Sequence, residues 1–327
     1  MLEALCALLA LILVALLMPG FIRFVKSRNM IQPGYELGPD SFRKQEKPPN
    51  MGGLIIALAV LISGLLFSQL SHGTHQALLI FLLALGALAV GLADDYIKNV
   101  RRNHEGLKPR YKIIGQVGIG LIFSILCMNT VGTTIHLPFT TAYLDLGLFY
   151  VPLMALLIVF MTNSANLQDG VDGLLSSVSV VGGLAFGLIA ALIDGDSLGN
   201  PAVAYVCFAL AGACLGFLFY NQPPAKIYMG DTGSMFIGGV FVGMAMLLRL
   251  QLWLIPICFT MIMSSVSVIA QRLYFKATGG KRLIRMSPIH HHFEMLGWSA
   301  VKIDRRYALV TLILSVAAIL AALPLRP

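Results

Sequence analysis

Four groups of residues in this 327-residue chain have the types and spacing that phosphate and metal chemistry requires. Asp94-Asp95 follows the apolar run Leu85–Ala93 with no polar buffer between them. Adjacent carboxylates at a helix end repel and resist burial unless a cation or hydrogen-bond donors offset them. The pair reads either as a solvated helix end or as a site for Mg²⁺ or a proton acceptor. Lys98 lies one helical turn after Asp94, where it can pair with it or bind phosphate. In the second group Asn166, Asp169 and Asp172 recur every three residues, and Gly170 and Gly173 let backbone approach a ligand closely. A plain helix–helix turn also uses Asn, Asp and Gly. This loop, however, has no Lys or Arg to neutralise its carboxylates. A cation or a donor-rich ligand would.

The third group runs from Asn221 through Lys226 and Tyr228 to Asp231-Thr232-Gly233-Ser234. Asp231 stands where an apolar span begins. As an N-cap it would satisfy free amides of the first turn. As a metal ligand it would join the other acids around Mg²⁺, which favours oxygen ligands and substrate phosphates, with the helix N-terminus turned toward phosphate. The fourth group is His290-His291-His292-Phe293-Glu294. Zinc uses histidines, but adjacent ones point in different directions and no Cys supports them. Phosphate binding or proton transfer near neutral pH suits them better. Met295–Val301 reads as a short interfacial helix with Trp298 at the headgroup level.

The elements that must position these groups cross a membrane. The chain is 57% hydrophobic and 12% charged, against roughly 25% charged in soluble domains. Ten apolar spans fall near 2–22, 51–70, 77–93, 113–128, 148–164, 174–193, 201–220, 233–248, 252–271 and 307–323, each close to the roughly 20 residues that cross the hydrocarbon. The third and fourth are short and should extend into their flanks. Of the 23 Lys and Arg residues, only Arg249 and Arg326 fall on one side of the resulting topology. The positive-inside rule then places both termini outside, five loops in the cytoplasm, and all four groups at the cytoplasmic face. The expectation is an all-α polytopic membrane protein of about ten transmembrane helices, one integral domain over 1–327. The first span carries Glu3 ahead of its apolar run and positive charge after it, which suits a retained helix rather than a cleaved signal peptide. The five cysteines all lie inside spans without metal spacing and read as apolar packing residues. Basic residues confined to short loops between membrane helices exclude a nucleic-acid partner. Carboxylates and cations on one face of a lipid-embedded bundle suggest phosphoryl transfer to or from a lipid.

These residues carry a family resemblance. Asp94-Asp95-Tyr96-Ile97-Lys98, the Asn166–Gly173 run, Tyr228–Ser234 and Ser287–Glu294 resemble, in order, the signature of the polyprenyl-phosphate N-acetylhexosamine-1-phosphate transferases. The His-His-His-Phe-Glu stretch is similar to the branch that handles phospho-MurNAc-pentapeptide. The resemblance implies transfer of that group from UDP-MurNAc-pentapeptide to undecaprenyl phosphate, giving lipid I and UMP, in the bacterial cytoplasmic membrane with the active site facing the cytoplasm. It implies a Mg²⁺ cofactor and a homodimer. By motif, Asp231 would be the main Mg²⁺ ligand, with Asp94 and Asp95 as further candidates. Asp94, Asp95, Asp231 and His290 would be catalytic, one of the adjacent pair acting as base. Lys98, Lys112, Asn166, Asp169, Asp172, Asn221, Tyr228, His291 and His292 would contact substrate. A family lysine that precedes the second span falls on Lys44 or Lys47, because Lys44-Gln45-Glu46-Lys47-Pro48-Pro49-Asn50-Met51-Gly52-Gly53 departs from the usual Lys-x-Gly-Thr-Pro-Thr-Met-Gly-Gly. Gln168 and Val171 replace a usual Thr and Leu, and neither change removes a carboxylate.

Two rival readings share part of this pattern. A relative that uses UDP-GlcNAc would keep three of the motifs but not the histidine stretch. An ion-coupled transporter would place its acids near the midplane at broken helices, whereas these acids cluster at one face.

Overall fold

The computed structural model describes residues 1–28, 48–71, 73–101, 106–193 and 201–325. Lys44 and Lys47, the candidates for the family lysine, lie outside the described residues. The apolar runs form helices because backbone polar groups in hydrocarbon must be satisfied within the segment. They are α1 (Leu2–Ser27), α2 (Gly53–Leu70), α3 (Thr74–Asn99), α4 (Pro109–Val131), α5 (Tyr150–Gln168), α6 (Leu174–Leu192), α7 (Pro201–Asn221), α8 (Gly230–Leu247), α9 (Leu254–Ile257), α10 (Phe259–Ala277), α11 (Ile289–Glu294) and α12 (Ala300–Ala322). Among the described residues nine helices are long and apolar enough to cross a membrane. The short third and fourth spans do extend at both ends, as α3 and α4.

Three features differ from the sequence expectation. The span expected at 252–271 is broken: its leading part, Gln251–Ile257, meets α10 at 86°, next to Pro256, which cannot continue a helical hydrogen-bond ladder. Residues 134–145 contain two strands, β1 (Thr134–His136) and β2 (Tyr143–Asp145), paired antiparallel with Ile135 opposite Leu144. The short helix expected over Met295–Val301 lies instead at α11 and carries the histidines. Gly297, at φ 84°, separates it from α12, a backbone angle that glycine adopts without strain.

Helix α8 is the axis of the bundle, buried almost along its whole length. Small residues let its neighbours approach, as membrane helix packing requires. A Cβ on Gly53 of α2 would overlap the Gly233 backbone, and one on Gly91 of α3 would overlap the Asp231 carbonyl. The second contact matters most. It presses α3 against the first turn of α8 and places Asp94 and Asp95, one turn beyond Gly91, beside that helix end.

Candidate active site

Asp95 is fully buried, and donors from two segments, the start of α8 and the stretch before α2, surround it. Its Oδ2 accepts from the Thr232 amide at 2.8 Å and the Thr232 hydroxyl at 2.6 Å. Its Oδ1 accepts from the Asp231 amide at 3.3 Å and Asn50 Nδ2 at 3.2 Å. A carboxylate at a helix N-terminus satisfies free amides and meets the positive end of the dipole. Asp95, from another helix, therefore performs the capping that the sequence offered to Asp231. Of the two readings open for Asp231 the N-cap is not the one seen: Asp231 is the second residue of α8, and its carboxylate accepts from side chains.

The Asp231 carboxylate instead faces the cations. Lys112 Nζ lies 2.7 Å and Lys98 Nζ 3.3 Å from its Oδ2. Asn166 Nδ2 donates to its Oδ1 at 2.8 Å and to Ser234 Oγ at 3.0 Å. Asp94 accepts the Leu107 amide at 2.8 Å on Oδ1, and its Oδ2 pairs with Lys98 one turn later. Gly106 makes this approach feasible, because it sits at φ 64° and a Cβ there would meet both Asp94 and Lys98. Helices α3, α4, α5 and α8 thus each contribute a polar side chain to one cluster.

The remaining groups meet at the same end of the bundle. Asp169 follows α5, and burial together with the negative Asp231, Asp95 and Asp172 pushes it well above the usual carboxylate range, although the Gly230 amide opposes the rise. Tyr228 lies near Asp172 and Asp169, and burial and those charges push its hydroxyl up to about 12. Asp172 accepts the Ala225 amide at 2.9 Å. Asn221 is buried, with its Oδ1 accepting from the Gly173 amide and the Ser176 hydroxyl and its Nδ2 donating to the Ile227 carbonyl. These last two side chains brace the loop before α8 against the start of α6. The same loop is tied to the start of α2: Gly52 and Gly53 amides donate to the Tyr228 and Met229 carbonyls at 2.9 and 3.0 Å.

The His290 and His291 rings lie together, their centroids 4.4 Å apart, and His292 diverges from them. His290 is fully buried, and neither ring nitrogen has a partner among the described residues. Burial, with His291 alongside, pulls its pKa down to about 3, so the imidazole is neutral. A Cβ on Gly170 would lie 2.5 Å from His290 Nε2 and 3.0 Å from His291 Nε2, so a side chain at position 170 would fill the space these rings share. His291 Nδ1 pairs with Glu294. His292 turns the other way, its Nδ1 accepting the Arg285 amide at 3.2 Å.

The carboxylates of Asp94, Asp95 and Asp231 each bring an oxygen within 4.8 Å of the other two. This is an all-oxygen set of the kind a hard divalent cation takes. Two ammonium groups converge on the same Asp231 oxygen, so the cluster already draws positive charge. Asp231 and Asp94 have oxygens facing cations, whereas both oxygens of Asp95 are occupied by protein donors. Asp231 and Asp94 could hold a divalent cation such as Mg²⁺ there.

Sequence reasoning missed Asn50, whose amide binds Asp95 and whose buried Oδ1 has no partner among the described residues. It stands inside the Pro48–Gly53 stretch, whose prolines and glycines read as a turn. It also missed the Leu107 amide, which no side-chain pattern reveals.

Comparisons with known proteins show the family of the chain. Residues 77–249, from α3 past the end of α8, match the family described as glycosyl transferase family 4. The chain is 40% identical over 292 residues to a phospho-N-acetylmuramoyl-pentapeptide-transferase of Listeria monocytogenes serotype 4b (strain CLIP80459), covering 89% of both chains. A protein of the same description from Listeria innocua serovar 6a is also 40% identical over 292 residues, with the same coverage. One from Staphylococcus aureus (strain bovine RF122 / ET3-1) is 37% identical over 301 residues, covering 91% of this chain and 92% of the relative.

Proposed function

We propose a function from one premise: the chain belongs to glycosyl transferase family 4, among its phospho-N-acetylmuramoyl-pentapeptide-transferases. It transfers phospho-MurNAc-pentapeptide from the UDP-linked donor to undecaprenyl phosphate, giving lipid I and UMP. The observation that carries this reading is the convergence of Asp94, Asp95 and Asp231 with Lys98 and Lys112 at one end of a lipid-embedded bundle. Phosphoryl transfer is catalysed mainly by positioning and by charge stabilisation, and this cluster offers both.

Mg²⁺ bound at Asp231 and Asp94 would supply positive charge to phosphate oxygens. Asp94 is the better base of the adjacent pair. The Asp95 oxygens hold the start of α8 in place, while the Asp94 carboxylate faces Lys98 and the Asp231 carboxylate and can take the proton of the acceptor phosphate. The freed phosphate oxygen attacks the sugar-side phosphorus of the donor, and UMP leaves. Lys98 and Lys112 stabilise charge on the phosphates. Neutral His290 accepts or donates one hydrogen bond beside Gly170. A bacterial cytoplasmic membrane with the site facing the cytoplasm is part of the proposal, supported by the Lys and Arg asymmetry, as is the homodimer that the resemblance implies.

The test is UMP release from purified protein with undecaprenyl phosphate, Mg²⁺ and either UDP-MurNAc-pentapeptide or UDP-GlcNAc. UMP from the pentapeptide donor alone is the expected result. UMP from UDP-GlcNAc alone would move the chain to the sister activity, and UMP from neither would overturn the transferase reading.

A further inference from the structure

Beside the histidine helix lies a cavity of about 380 Å³, lined by Arg272 of α10 and by Arg282, Arg285, Met286 and Ser287 of the segment that follows. No carboxylate lines it. None of the three arginines makes an ion pair among the described residues. Three guanidinium groups held round one cavity repel one another, and a bound anion relieves that repulsion.

The segment is held by hydrogen bonds that do not neutralise the arginines. Gln271 Oε1 accepts the Leu283 and Ile284 amides, both at 3.0 Å. Arg282 donates to the Arg285 carbonyl at 3.2 Å and Arg285 to the Met295 carbonyl at 3.0 Å. The Arg285 amide donates to His292, so the cavity wall and α11 are one unit. Each guanidinium has further N–H donors, and its planar fork matches a carboxylate.

The cavity is close to the histidine helix along the chain. Ser287 precedes His290 by three residues, a reach of at most roughly 10 Å. His290 and His291 adjoin Gly170, next to Asp169. A five-residue peptide spans up to about 17 Å when extended. A donor whose phosphates sit at Asp231 can therefore lay its peptide past Gly170 and deliver a carboxylate to the arginines.

We infer that Arg272, Arg282 and Arg285 form a subsite for a carboxylate of the donor's peptide stem, and so help the enzyme distinguish peptide-bearing from peptide-free nucleotide sugars. The inference rests on the donor assigned above. An anionic lipid headgroup is the competing occupant, since Leu273 and Phe275 beside the cavity are exposed.

The experiment is calorimetric binding of UDP-MurNAc-pentapeptide and of UDP-MurNAc, which lacks the peptide, to wild type and to the Arg282→Gln/Arg285→Gln double variant. The pentapeptide donor should bind the variant about 10–100-fold more weakly, while binding of UDP-MurNAc changes less than about twofold. Arg282→Lys/Arg285→Lys should recover part of the loss. Equal weakening of both donors, or none, overturns the inference. So does a wild type that binds both donors equally, or a variant that loses only a response to phosphatidylglycerol in the surrounding bilayer. UMP release by wild type is read separately: donor binding with the predicted selectivity but without turnover would sink the reaction assignment and leave the subsite standing.

Discussion

The two ends of α8 are built from opposite materials. At its start, Asp95 accepts the Asp231 and Thr232 amides while Lys98, Lys112 and Asn166 converge on Asp231. At its far end backbone closes the helix. The Leu250 amide donates to the Ala245 carbonyl at 2.7 Å, Arg249 turns to φ 56°, and the His136 amide donates to the Arg249 carbonyl at 2.9 Å. Backbone and one turn residue suffice to end this helix. The start uses three carboxylates and two lysines where one acceptor side chain would have satisfied a cap. That surplus of charge, costly beside a bilayer, is what supports the proposal that the start is the working end.

The comparison breaks if changes at the two ends have similar effects. Asp231→Ala should lower turnover about 10³-fold or more, since it removes the proposed principal metal ligand, with little change in unfolding temperature; UMP release and thermal unfolding in detergent check both. Lys112→Ala should lower turnover about 10²-fold, read in the same assay, because Asp231 keeps Lys98 but a phosphate loses one cation. Far-end changes should act on stability. Trp253 Nε1 donates to the Ala318 carbonyl at 2.9 Å. Trp253→Phe should cost about 1 kcal/mol, seen as a lower unfolding temperature, with turnover within about twofold.

The smallest effect sharpens the contrast through pH. His290 has its pKa pulled down to about 3 from an ordinary value near 6.5. The unfolded chain therefore binds a proton that the folded chain refuses. The stability His290 protects is complete above about pH 6.5 and declines as pH falls toward 3. His290→Gln should flatten that acid decline by a few degrees of unfolding temperature, measured from pH 7 to 4.

Much of this was legible in the sequence, for physical reasons. Apolar length reports membrane helices because hydrocarbon leaves the backbone no alternative, so the spans at α1 to α8 and α12 follow from composition. Charged residues interrupting such runs stand out, so Asp94, Asp95 and Asp231 were visible as a set, as was the pairing of Lys98 with Asp94. What stayed hidden depends on distant partners. Asp95 caps α8 across 136 residues of chain, a contact that no local pattern encodes. Asn50 sits among prolines and glycines that read as a turn. The break before α10 had a local signal in Pro256, outweighed by the apolar run around it. The strands at 134–145 are three residues each, too short for alternation to register. Among the histidines, only the helix that holds them decides which ring faces the site, and there His290 turns inward while His292 turns toward Arg285.

Metal binding tests the central claim most directly. Mn²⁺, followed by its electron paramagnetic resonance and displaced by Mg²⁺, should occupy one tight site on the wild type. That site should be absent from folded Asp231→Ala. A tight site that survives this substitution, or that never forms, would contradict the assignment of the α8 start as the metal-binding reaction centre.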